Sequence, residues 1–161
     1  GIEHASRAVP VFRELERPHD LGRLYETLGR LEMAAGRPRE AVEHLGAAAD
    51  LQQRIADVIG LARTSAALAD IARESGDFER AIVLLGGSVE LNLDKGSPLG
   101  LAFNRRALET LLGQLSSSER RDLHDELSRV ARRLEAAEQA VGRIPLPTEA
   151  LGLRHTERPA R

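Results

Sequence analysis

The chain has 161 residues, a formal net charge of −2, 42% hydrophobic and 30% charged residues, and no cysteine. That length suits one folded domain, and the near-neutral balance excludes bulk electrostatic recruitment of nucleic acid or an anionic membrane. The lack of cysteine excludes disulfides and thiolate chemistry, and no apolar run is long enough to span a membrane.

Residues 1–18 carry Glu3-His4 and Ala8, which return forty residues later as Glu43-His44 and Ala48. The segment therefore reads as the second helix of a repeat whose first helix lies before it, as in a piece of a longer protein. Residues 20–59 form the first full unit. Leu21, Leu24, Leu28 and Leu31 follow the spacing of one helical face. Gly36 permits a left-handed C-cap and Pro38 suits a first helical turn. Ala41, Val42, Leu45, Ala48, Leu51 and Ile55 mark the second helix.

Residues 60–98 repeat the pattern, with helices expected over about 61–75 and 78–94. Gly76-Asp77 makes the turn, Asp77 being a favoured N-cap, and Asp94 to Pro98 is a breaker. Residues 99–141 form the third unit. Gly100-Leu101-Ala102 echoes Gly60-Leu61-Ala62, and Leu28, Leu68 and Leu108 align. Ser116 and Glu119 stand at capping-box spacing. The last helix carries a seam of Leu123, Leu127, Val130, Leu134, Ala137 and Val141. Capping the stack is the favoured use of this seam, with pairing to a second chain as the alternative. Gly46 and Gly86 read as points of close helix packing. Residues 142–161 hold three prolines and no sustained period, and read as a tail. The whole reads as an all-α chain of helix pairs with a period of 40 residues.

Tyr25, Leu28, Gly29, Ala41 and Leu45 match the tetratricopeptide pattern position by position, and Leu68, Ala81 and Leu85 repeat part of it. Over about residues 1–141 the chain resembles the tetratricopeptide repeat family, in the longer-period form found in bacterial signalling proteins. The resemblance implies a right-handed α-solenoid of antiparallel helix pairs that binds a protein or peptide along its concave face. The family's groove positions fall on Arg23, Glu26, Arg30, Met33 and Ala34 in the first unit. They fall on Arg63, Ala66, Asp70, Arg73 and Glu74 in the second, and on Phe103, Arg106, Thr110 and Gln114 in the third. Asparagines that some relatives place before the Leu-Gly pair are replaced by Thr27, Ala67 and Ala107. The Lys and Asn of the family's carboxylate clamp are also missing.

The groove arginines suit an acidic or phosphorylated peptide. The competing reading is a face that neutralises itself, through Glu26 with Arg30 and Asp70 with Arg73. Phe103 is either a ligand anchor or a contact for the cap or tail. His4, His44 and His124 share a repeat position, but neighbouring pairs lie too far apart for one zinc ion, so no metal is expected. No nucleophile elbow, zinc helix, P-loop or dinucleotide string is present, and neither an enzyme site nor a cofactor is expected. On the last helix, Arg120, Arg121, Arg129, Arg132 and Arg133 are interleaved with acids, which marks a solvated face and argues against nucleic acid. The expectation is a cytoplasmic regulatory or scaffolding module that binds a protein or peptide. Self-association into a homo-oligomer, or ligand sensing within a larger signalling protein, is the alternative.

Overall fold

A computed structural model of the chain describes residues 1–143; the expected tail over 142–161 lies, after its first two residues, outside them. The elements are α1 (Ile2–Glu14), α2 (Pro18–Ala34), α3 (Pro38–Arg54), α4 (Val58–Glu74), α5 (Phe78–Asp94), α6 (Pro98–Gln114), α7 (Ser117–Asp122) and α8 (His124–Val141). Among the described residues there is no strand.

Helices α2 to α6 have 17 residues each. The backbone therefore repeats every helix, while the side-chain pattern repeats every pair. The turns share one geometry. In each, the last turn residue donates its backbone N–H to a carbonyl five residues back: Arg17 to Phe12, Arg37 to Glu32, Asp57 to Gln52, Asp77 to Ala72 and Ser97 to Asn92. This Schellman closure needs a left-handed residue in the middle. Gly36, Gly76 and Gly96 supply it freely, whereas Glu16 (φ 50°) and Ala56 (φ 54°) adopt it with a side chain present. Each of those two costs about 1–2 kcal/mol.

Helix starts follow from the next residue. Asp57, Asp77 and Ser97 accept hydrogen bonds from the backbone N–H groups of Gly60, Arg80 and Gly100. Pro18, Pro38 and Pro98 begin their helices without forfeiting a bond. Because Asp57 caps α4, that helix begins at Val58, three residues earlier than the sequence suggests. The final helix is interrupted at Leu123. The Ser116–Glu119 capping box starts α7, and α8 runs on from His124.

Packing is between neighbours, in the manner of a helical solenoid. Helices α2 and α3 pair most extensively, as do α4 and α5, and each new pair leans on the one before. The main core joins Ile82, Leu85 and Val89 of α5 to Leu101, Leu108 and Leu111 of α6. Leu127, Val130, Leu134 and Ala137 of α8 complete it. The α8 seam is thus buried within its own chain. It caps the stack and is not offered to a second copy. Each buried leucine contributes roughly 1.5–3 kcal/mol. Gly86 serves this contact, its Cβ position lying 3.3 Å from Val130 Cγ2. Gly46 does not pack closely, since nothing stands within 4 Å of its Cβ position. The tight approach in the first pair is at Gly29, where a Cβ would lie 3.1 Å from the Ala41 carbonyl oxygen.

Two buried polar bridges recur at the joints between pairs. Thr64 Oγ1 of α4 donates to Gln52 Oε1 of α3 at 2.8 Å. Forty residues on, Asn92 Nδ2 of α5 donates to Asn104 Oδ1 of α6 at 2.8 Å. Asn104 Nδ2 also donates to Ser88 Oγ at 2.8 Å, and that hydroxyl donates to the Ala62 carbonyl at 3.0 Å. The recurrent Gly-Leu-Ala strings now have a reason. A Cβ at Gly60 would crowd the Gln52 carboxamide, and one at Gly100 would crowd that of Asn92.

Candidate binding groove

The first helices of the three pairs, α2, α4 and α6, line a groove of about 670 Å³. From α2 come Arg30 and Met33. From α4 come Arg63, Ala66, Asp70, Arg73 and Glu74, and from α6 come Phe103, Arg106 and Thr110. Their spacing puts each set on one helical face, and the shared forty-residue register brings the three faces together. Small side chains, Ala62, Ala66, Ala67 and Ala107, keep the floor low.

Four of the expected residues, Arg23, Glu26, Ala34 and Gln114, do not line the groove. Arg23 is exposed but outside it. Glu26 is only 7% exposed and lies beneath the arginines. Its carboxylate accepts from Arg63 Nε at 3.2 Å and Nη2 at 2.9 Å, and Arg30 Nη2 stands 3.3 Å away. This hydrogen bonding holds the Arg63 guanidinium above even its ordinary high pKa. Glu26 is therefore a support for two arginines, and its burial leaves little of it for a ligand to touch.

The groove arginines are not equivalent. Arg73 is largely enclosed and donates to Asp70, Glu74 and Gln114, the last at 3.0 Å. Arg30 and Arg63 share Glu26. Arg106 has no carboxylate partner among the described residues. One turn earlier on α6, Phe103 is 55% exposed. Phe103 is not among the side chains packed against the core that α8 completes, and the expected alternative of a contact with the tail lies outside the described residues. Ala34 lies outside the groove, and Gln114 takes part through Arg73.

Sequence reasoning missed Ser88, Asn92 and Asn104, which reach the groove floor from the joint between α5 and α6. The available signal was their echo: Gln52 with Asn92, and Thr64 with Asn104, each polar on an otherwise apolar face. The histidines do not converge. His44 stacks on Tyr25 with ring centroids 6.3 Å apart, while His4 and His124 are exposed. Among the described residues no group of three His, Cys, Asp or Glu could hold a metal ion.

Residues 20–91, spanning α2 to most of α5, match a family model described as tetratricopeptide repeat. This segment is a tetratricopeptide-type repeat. No curated protein and no solved structure matches it. Tetratricopeptide repeats are in general non-catalytic protein-interaction modules. Among the described residues of this repeat protein, no helix is long and apolar enough to cross a membrane. Helices α6 to α8 lie beyond the matched segment and continue the helix stack.

Proposed function

We propose that this helical repeat protein is a regulatory or scaffolding module that binds a protein partner through the groove of α2, α4 and α6. The observation that carries the reading is the convergence of Arg30, Met33, Arg63, Ala66, Asp70, Arg73, Phe103, Arg106 and Thr110 on one groove. Its volume is that of a ligand pocket, and its mixture of guanidinium groups, an exposed aromatic ring and small side chains is that of an interaction hot spot. The wall is helical and rigid, so a partner segment docks with little ordering of the receptor.

Affinity capture from a native lysate tests this, with wild type beside an Arg30→Ala, Phe103→Ala, Arg106→Ala variant. These three side chains are exposed, and the buried Glu26 keeps Arg63 when Arg30 is removed, so the variant should melt within a few degrees of wild type. A protein held by wild type and lost by the folded variant supports the groove. Equal capture by both would place binding elsewhere on the molecule.

A further inference from the structure

We infer that Phe103 and Arg106 form an anchoring subsite on α6 for an acidic peptide, taking a carboxylate side chain on the guanidinium and an apolar side chain against the ring. The inference rests on the reading that the groove binds a peptide segment, and adds which chemistry that segment carries and where it is held.

The groove holds four guanidinium groups, but three already face carboxylates of their own chain. A ligand anion at Arg63 or Arg30 must share its donors with Glu26. At Arg73 it would meet Asp70 and Glu74. Arg106 has no such competitor among the described residues. Charge complementarity therefore concentrates on Arg106, where a carboxylate can be gripped by two parallel N–H donors. A basic peptide would be repelled there.

Phe103 supplies the second half. It is the one exposed aromatic side chain among the described residues, three positions from Arg106 and so on the same helical face. Covering the exposed part of this ring, which is 55% accessible, removes on the order of 100 Å² from water. The neighbouring Ala107 leaves room beside it. An unpaired guanidinium next to an uncovered ring fits a peptide with acidic and apolar side chains close together, and fits neither nucleic acid nor a purely acidic chain.

The test is selection from a random peptide library displayed on phage, using the full chain and its Arg106→Glu variant as baits. Both baits should melt alike, because Arg106 holds no ion pair that the substitution breaks. Peptides selected by wild type should be enriched in Asp or Glu beside an aliphatic or aromatic residue. A synthetic copy of the best peptide should lose tenfold or more in affinity on either Arg106→Glu or Phe103→Ala, as hot-spot truncations do. The Arg106→Glu bait should select peptides enriched in Lys or Arg instead. Peptides that bind wild type without an acidic bias, or that are indifferent to both substitutions, would overturn the subsite while leaving the groove reading standing. If no peptide is selected, both fall. A scattering mass of two chains that drops to one on Arg106→Glu would assign the subsite to a second copy and overturn the peptide.

Discussion

At the scale of single residues, the turns hold the clearest energetic asymmetry. Ala56 carries a side chain in a left-handed conformation that Gly36, Gly76 and Gly96 adopt at equivalent places. Replacing Ala56 by glycine relieves the Cβ clash but frees the unfolded chain, and the first effect is the larger. Ala56→Gly should raise stability by about 0.5–1 kcal/mol, read as a higher melting temperature. Two helical glycines make the opposite pair. A methyl at Gly29 would meet Leu45 and the Ala41 carbonyl, so Gly29→Ala should cost about 1–3 kcal/mol by overpacking. At Gly46 the methyl meets nothing, so Gly46→Ala should stabilise by up to about 1 kcal/mol through helix propensity. Equal effects at the two sites would contradict the packing described. The 55–57 turn was hard to read in the sequence because alanine is not a turn signal, while Gly36 and Gly76 announced theirs. Gly29 and Gly46 could not be told apart, because both lie inside helices and only the neighbouring helix distinguishes them.

At the scale of helices, the joints and the cap hold the stack together. Asn104 bridges Asn92 and Ser88 in a site with almost no exposure to water. Asn104→Ala leaves buried polar groups without partners and opens a small void. It should cost about 2–3 kcal/mol, and amide exchange in α6 and α8 should accelerate before that in α2. The cap is also tied by charge. Arg133 of α8 donates to both carboxylate oxygens of Glu90 of α5, and this hydrogen bonding holds the Glu90 carboxyl below its usual value of 4.5. A depressed carboxyl stabilises the fold above its ordinary value, and that contribution is lost as the pH falls through the depressed one. Wild type should therefore melt above Glu90→Gln near neutral pH, with the gap closing as pH drops below 4.5 and shrinking in high salt. Thermal melts across that range check it; a gap that widens in acid would contradict the pairing. The heptad-like spacing from Leu127 to Ala137 made the α8 seam legible. What it could not reveal was the receiving surface, since Leu85 and Leu101 stand far off in the chain.

For the whole molecule, the forty-residue register made the helix pairs and the groove legible together. Once α2, α4 and α6 are equivalent, the same spacing on each puts Arg30, Ala66 and Phe103 around one hollow. Glu26 shows where that logic stops. Its position on α2 pointed to the ligand face, yet Arg63, 37 residues away on α4, draws it under the surface. Burial of that kind depends on a neighbour that no local pattern names. The central claim is that the partner lies in the groove and not on the outer surface. It is tested most directly by installing a photo-crosslinking amino acid at Ala66, inside the groove, or at Val83, which is 65% exposed on α5 and does not line the groove. Both proteins are irradiated in a native lysate. Crosslinks to a common partner from position 66, with none from position 83, are the expected result. Crosslinks from position 83 with none from position 66 would contradict it.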